Sequence, residues 1–547
     1  MDAYSISYSS SSKGKSSRIY QDLSSTHFSS FRGLGQEQSL RELSTMDTCR
    51  MRSHSGSKKP HVGIVGAGLA GLRCADIVLR HGFQVTILEG RNRIGGRLHQ
   101  EKLSNGHLVD MGPNWIHGTK DNPILDIVNE TKTDVGSWDT RSYAFDEFGG
   151  LFDVAKSDMY ADIMWDIVQD AFKHSNDFSA EINEKESLHD FFTEKMAEKI
   201  PETDQDWQMK RHIVMQMSEL WGAFVGSPIE RQSLKFFWLE ECIEGVLTKA
   251  ENLFCAGTYK KVLESVAAPA LAEASIQFNI VVDQITTRIQ PGDTIKVHEK
   301  NGSSLEFDEV IVTAPLGWLK RNLDIFEPSL PARLTQAINS IGYGSLEKVY
   351  ITFPEAFWLS QADDDQKVQG FIQWLSPAYA PDTNPERWYQ DVVELASLTP
   401  ETSHPTLLFY IYGAQSEHVT TRVAELQTKQ EKDEFLLAYF RPYYSRLPHY
   451  KESDERCQPT SYLSTAWSKD ALAGHGSYSN FQVGLTEGDR DIEAMRRGLP
   501  ERGLWLAGEH TAPFVALGTA TGAYWSGEAV ARRLAESYGM KTAEVSQ

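Results

Sequence analysis

The sequence predicts an α/β protein in which a parallel sheet of the doubly wound kind carries a helix-rich second domain as an insertion. Three observations support this. Val62, Ile64 and Val65 form a short apolar strand running directly into Gly66-Ala67-Gly68-Leu69-Ala70-Gly71, a G-x-G-x-x-G loop. A segment of helical period follows (Leu72, Ala75, Val78, Leu79), stops at Gly82, and leads to a second strand, Phe83 to Leu88, which ends in Glu89. From about Asp121 to Gly245 there is neither βαβ alternation nor a Gly-rich loop, and apolar residues recur at helical spacing.

The first two observations belong together physically. Glycine at 66, 68 and 71 allows a tight turn, close approach of backbone N–H groups to a pyrophosphate, and close packing of helix on strand. The helix N-terminus adds unpaired donors and a favourable dipole for negative charge. Glu89 stands where an acid can accept hydrogen bonds from a ribose. A Gly-rich turn alone explains the loop but not the strand, helix, strand and acid around it. Arg91, Arg93 and Arg97 then flank Gly95-Gly96, and guanidinium forks suit phosphate oxygens. These features imply a dinucleotide without naming it.

The totals bound the rest. At 547 residues the chain is too long for one compact core. A formal charge of −21 argues against nucleic-acid binding and favours attraction of cations, although solubility alone explains it equally well. Five scattered cysteines (Cys49, Cys74, Cys242, Cys255, Cys457) without C-x-x-C fit a reducing compartment and neither a disulfide frame nor a metal site. No run of about eighteen apolar residues suggests a membrane span. Residues 1–59 are Ser-rich and aperiodic, which predicts a disordered tail; Arg and Ser hint at a transit segment, but Asp22, Glu37, Glu42 and Asp47 oppose it. A cytoplasmic location is expected.

Along the chain, Gly106 to Gly118 (GHLVDMGPNWIHG) is a constrained loop, and Asn122-Pro123 opens a helix as N-cap and first-turn proline. Ile163, Ile167 and Val168 share one helix face; Leu188, Phe191, Phe192 and Met196 share another. Helix Lys260–Leu271 leads to a strand Ile276–Ile285, a hairpin around Pro291-Gly292-Asp293, and an apolar run Val310–Ala314. In the strand beginning at Tyr343, Glu347, Val349 and Ile351 face one way and Leu346, Lys348 and Tyr350 the other. Near the end come Trp467, Ser477-Tyr478, a strand Gly503–Ala507, Gly508-Glu509-His510-Thr511, and a glycine-spaced run from Gly518 to Gly527 that opens a helix Glu528–Leu534. Glu240, Glu241 and Glu244 cluster in the helical region and read best as a solvated face.

From residue 60 to about 535 these motifs resemble, in order, those of the flavin-containing amine oxidase family, and within it most nearly the polyamine oxidases. The resemblance implies a Rossmann-type FAD-binding domain (60–117, 246–342 and 460–540), an inserted α+β substrate-binding domain (118–245 and 343–459), and a short tail (541–547). It implies that FAD lies against Gly66, Ala67, Gly68, Gly71, Glu89, Arg91, Gly96 and Arg97. Further cofactor contacts are implied for Gly112, Pro113, Asn114, Trp115, Val282, Trp467, Ser477, Gly508, Glu509, Thr519 and Ala520. Val282 reads equally well as a core residue. Ser477 replaces the cysteine that tethers the flavin in monoamine oxidases, so FAD is expected to bind non-covalently.

The same resemblance reverses the ordinary reading of a strand lysine as solvated, giving Lys348 a water at flavin N5. It places His117 beside the substrate nitrogen, against the plainer reading of a loop histidine bonded to backbone, and makes Tyr478 one wall of an aromatic cage. The second wall is absent, because that position is Thr519; an elongated, multiply charged amine fits better than a small aryl amine. The implied reaction is hydride transfer from the carbon next to an amine nitrogen, imine hydrolysis, and reduction of O2 to H2O2. Another amine substrate, or a flavin-binding protein with little turnover, are the alternatives; histone demethylation is disfavoured, since no further N-terminal domain or coiled-coil insertion is seen.

Overall fold

Residues 61–89 form strand His61–Val65, helix Leu69–Arg80 and strand Gln84–Glu89. The computed structural model describes residues 59–138, 141–241, 252–359 and 368–540. The Ser-rich segment up to residue 58, Cys49, Cys242, Glu244 and the tail 541–547 lie outside the described residues.

His61–Val65 is paired in parallel on both sides, with Gln84–Glu89 and with Glu309–Val312. Leu504–Leu506 and Ser275–Phe278 complete a five-stranded, all-parallel sheet. A strand covered on both faces must be apolar throughout, which is why HVGIV and EVIV read as continuous runs. Helix Leu69–Arg80 buries Leu72, Ala75 and Val78 in one core with Val530, Ala531 and Leu534 of helix Ala520–Ser537. Arg73 ties the two helices, donating to Glu528 at 2.5 and 3.0 Å and lying 4.5 Å from the Tyr524 ring centre.

A second, six-stranded sheet runs in the order Ser461–Ser464, Leu346–Thr352, Thr406–Tyr412, Gln390–Glu394, Phe371–Trp374 and Tyr143–Phe145. Its pairs are antiparallel except the last. Helices pack on both faces, Lys429–Tyr444 on one through Leu436, Tyr439, Phe440 and Tyr443, and two helices from earlier in the chain on the other. Val154–Phe178, capped by Asp153, buries Tyr160, Met164, Ile167, Val168 and Ala171 at helical spacing. Leu188–Lys199 opens on a Ser187/Asp190 capping box and buries Leu188, Phe191, Phe192 and Met196.

Three boundaries differ from expectation. The run Ile276–Ile285 is two strands in two sheets, Ser275–Phe278 and Val282–Thr286, separated where Asn279 takes a left-handed φ of 60° and Asn279 and Ile280 donate to the Arg91 and Glu89 carbonyls. The final helix starts at Ala520, so Gly522 and Gly527 lie inside it; Thr519 is its N-cap, accepting from the Gly522 amide. Ser461–Ser464 pairs with Leu346–Thr352, so the return to the first sheet comes later than residue 460. Cys74, Cys255 and Cys457 are buried free thiols. No helix among the described residues is long and apolar enough to cross a membrane.

Candidate active site

The Gly-rich loop sits at the carboxyl ends of the parallel strands, the position at which open α/β sheets bind ligands. A Cβ on Gly71 would collide with the Gly66 carbonyl oxygen, so the first turn of the helix lies directly on the loop. A Cβ on Gly68 would meet no atom within 4 Å. Steric need in the protein therefore explains glycine at 71 but not at 68, where open space remains against the backbone. Glu89 joins the two glycine segments: its carboxylate accepts from the Ala67 amide at 2.7 Å and the Arg91 amide at 2.8 Å. The Gly95 amide in turn donates to the Ala67 carbonyl at 2.8 Å.

Arg91 and Arg97 are engaged by protein carboxylates. Arg91 pairs with Asp470 at 2.8 Å. Arg97 donates to the Ser477 carbonyl at 2.6 Å and to Glu509 at 3.1 Å, drawing the N-terminal and C-terminal motifs together. Glu509 also accepts from the Ser479 hydroxyl at 2.6 Å. The Gly508 amide donates to Ser526 at 2.8 Å, and the Ser477 hydroxyl accepts from the Leu346 amide at 3.2 Å. Val282 is buried at the head of its strand, opposite Glu299.

Residues 110–117 are held from several sides. Lys348 lies within the fully paired strand Leu346–Thr352, only 6 % exposed, and its ammonium donates to the carbonyls of Asp110 (3.3 Å) and Gly112. Burial lowers the pKa of Lys348, opposed by the charge of the Asp110 carboxylate; burial likewise raises Asp110. The Tyr350 hydroxyl donates to the Asp110 carbonyl at 2.6 Å, and the Trp467 indole to the Met111 carbonyl at 3.0 Å. Gly112 leaves no room for a side chain against the Arg97 carbonyl, and Pro113 follows it into the turn.

Asn114 and Trp115 meet at Tyr410, whose hydroxyl donates to Asn114 Oδ1 at 2.9 Å and accepts from the Trp115 indole at 3.1 Å. Trp115 also stacks on Phe371 at 5.6 Å. His117 is paired across two short strands with Asn252, and its Nδ1 donates to Asn252 Oδ1 at 3.0 Å. That bond leaves Nε2 as a lone pair, and burial lowers the pKa of the ring so that it is neutral at neutral pH. Tyr478 donates its hydroxyl to the Phe224 carbonyl, and its ring packs against Gly518, next to Thr519. Ala520 follows as the first residue of the helix.

The sequence profile of the flavin containing amine oxidoreductases matches residues 69–535, a span that begins within the first glycine loop and carries Lys348 and the C-terminal glycine run. The chain belongs to that family. Its curated relatives include a probable polyamine oxidase 4 of Arabidopsis thaliana, 28% identical over 469 residues that cover 82% of each protein. Another is the human peroxisomal N(1)-acetyl-spermine/spermidine oxidase, 28% identical over 80% of this chain and 86% of that one. A solved structure of putrescine oxidase superposes with a TM-score of 0.63 at 17% identity, covering 88% of this chain and 99% of the other, and so has the same fold. This flavin containing amine oxidoreductase accordingly uses FAD and acts on amines. The residues fit FAD: the open space at Gly68 and the helix N-terminus behind it suit a pyrophosphate.

Sequence reasoning missed Tyr410, and it missed the bonds by which Tyr350 and Asp110 hold the turn. Alternation places Tyr410 and Tyr412 on one strand face, but only the observed register sets Tyr410 opposite Lys348. One expectation is overturned. Glu240 is no solvated acid: its Oε2 accepts from the Trp221 indole at 2.7 Å, and burial raises its pKa to about 8. A carboxyl raised in the folded state binds more protons there than when unfolded, so its contribution falls as pH rises from its unfolded value through about 8. Glu240→Gln is therefore expected to flatten the fall of Tm between mildly acid and mildly alkaline pH, read by thermal unfolding of both proteins. An equal slope would contradict the assignment.

Proposed function

We propose that this protein is a polyamine oxidase, with non-covalent FAD held by the domain of the parallel sheet and the amine bound over the six-stranded sheet. The observation that carries the reading is the placement of Lys348: a buried ammonium bonded to the turn that leads into Trp115 and His117. FAD, once bound, supplies the two-electron acceptor and the route to O2 that yields H2O2. Gly66, Ala67, Gly68 and Gly71 would hold its pyrophosphate and Glu89 its ribose. Arg97 and Glu509 fix the C-terminal segment beside it, while Ser477 offers no thiol for a covalent tether.

The chain's own residues do the remaining work. A protonated amine has no lone pair to stabilise the developing positive charge on its carbon, so the substrate must lose a proton first. Neutral His117 can accept that proton at Nε2, since Nδ1–H is committed to Asn252. Lys348 holds a water and a proton near the reacting face, and Tyr478, anchored through Phe224, orients the alkyl chain as a single aromatic wall. The test is peroxide release from purified protein given spermine, spermidine and their N-acetyl forms. Turnover of at least one is expected, and silence with all four contradicts the substrate class.

A further inference from the structure

One face of the six-stranded sheet carries a polar row. Lys348 stands opposite Tyr410, Tyr410 opposite Asp391, and Asp391 opposite Gln373. Residues paired across strands project from the same face. Their flanking neighbours agree: Tyr350, Leu408 and Val393 share one core, while Val349, Phe409, Val392 and Ile372 share another on the opposite side. With strands about 4.8 Å apart, Asp391 lies about 10 Å from Lys348 along the row, and Gln373 about 14 Å.

The near end of the row is satisfied within the protein, and the far end is not. Lys348 bonds the carbonyls of residues 110 and 112, and Tyr410 bonds Asn114 and Trp115. By contrast Asp391 Oδ1, Gln373 Oε1 and the Tyr389 hydroxyl have no hydrogen-bond partner among the described residues. These side chains are 1%, 3% and 5% exposed. Leaving such groups unpaired costs free energy, and a buried carboxylate without a cation costs most. Burial accordingly pushes Asp391 up to about 7. Three oxygens that can all accept, gathered on one face, complement a group that only donates, and an ammonium has three N–H donors and no acceptor.

We propose that Asp391, with Gln373 and Tyr389, receives the second ammonium group of a di- or polyamine whose reacting end lies at Lys348. This rests on the amine oxidase reading above and adds the site that selects for charge far from the reacting carbon. A purely structural buried acid is the competing account, and it predicts no dependence on the charge of the substrate.

The test uses FAD-loaded enzyme and two amines, spermidine and octylamine; octylamine is run as substrate or competitive inhibitor and lacks the remote charge. Asp391→Asn keeps the size and removes the carboxylate. It is expected to raise KM for spermidine about 10- to 100-fold, the worth of a charge-assisted hydrogen bond. Its kcat for spermidine, its flavin spectrum and its KM or Ki for octylamine should stay within about twofold of wild type. Tyr389→Phe should raise KM for spermidine in the same direction by a smaller factor. Unchanged spermidine KM in both variants overturns the proposal, and so does an equal rise for the two amines. If wild-type enzyme oxidises none of spermine, spermidine and their N-acetyl forms, the reading of the substrate class fails first and this inference falls with it. A wild-type enzyme that oxidises spermidine beside an unaltered Asp391→Asn removes the inference alone.

Discussion

Lys348→Met is expected to give a folded, yellow protein that oxidises amines about 10²- to 10⁴-fold more slowly, the range typical of losing a positioned proton donor or acceptor. Methionine matches the length and apolar stem of lysine, and the strand around it is buried whichever residue is present. What disappears is the ammonium that donates to the Asp110 and Gly112 carbonyls, together with its charge beside Asp110. Because burial lowers the pKa of Lys348, its charged form is lost as pH rises through the folded value. The wild-type rate profile should therefore contain a limb that Lys348→Met lacks. Steady-state rates across pH, with the flavin spectrum recorded alongside, check both claims. A variant within about twofold of wild type at every pH would remove Lys348 from the chemistry.

Gly68→Leu is expected to fold and yet come out colourless. No atom would lie within 4 Å of a Cβ at this position, and the backbone there is extended (φ −76°, ψ 178°), so a side chain is tolerated by the protein itself. That side chain would occupy the space assigned to the pyrophosphate. A loss of FAD affinity of more than about 100-fold, about 2.7 kcal/mol, is expected. Gly71→Val is the contrasting variant, since its Cβ collides with the Gly66 carbonyl and damages the fold as well as the site. Circular dichroism separates the two, and FAD titration followed by absorbance reads the affinity. If Gly68→Leu binds FAD as tightly as wild type, the pyrophosphate does not lie on this loop.

Features whose chemistry is local were legible in the sequence. The loop Gly66–Gly71 and its terminal acid are encoded within one short stretch, and the Asn122-Pro123 helix start within two residues. Alternation alone puts Lys348 and Tyr350 on one strand face, and both side chains reach the turn at residues 110–112. Features set by strand register were not legible. Tyr410, Asp391 and Gln373 lie on separate strands, and no spacing in the sequence aligns them with Lys348. Boundaries failed where local signals were masked. The apolar run Ile276–Ile285 conceals a break at Asn279, a residue type that readily adopts a left-handed φ. The glycines after residue 518 suggest a loop, whereas Gly527 lies inside a helix and is glycine because a Cβ there would strike the Ala70 carbonyl of the neighbouring helix. Thr519, a good N-cap, marked the true start.

The most direct measurement is the visible spectrum of the purified protein before and after adding spermine without oxygen, followed by denaturation and filtration. An oxidised-flavin spectrum that bleaches with the amine and recovers with air, and a flavin that passes the filter, are the results expected of a non-covalent FAD polyamine oxidase. Protein that is colourless and takes up no added FAD, or whose flavin stays oxidised with spermine, spermidine and their N-acetyl forms alike, would contradict the account.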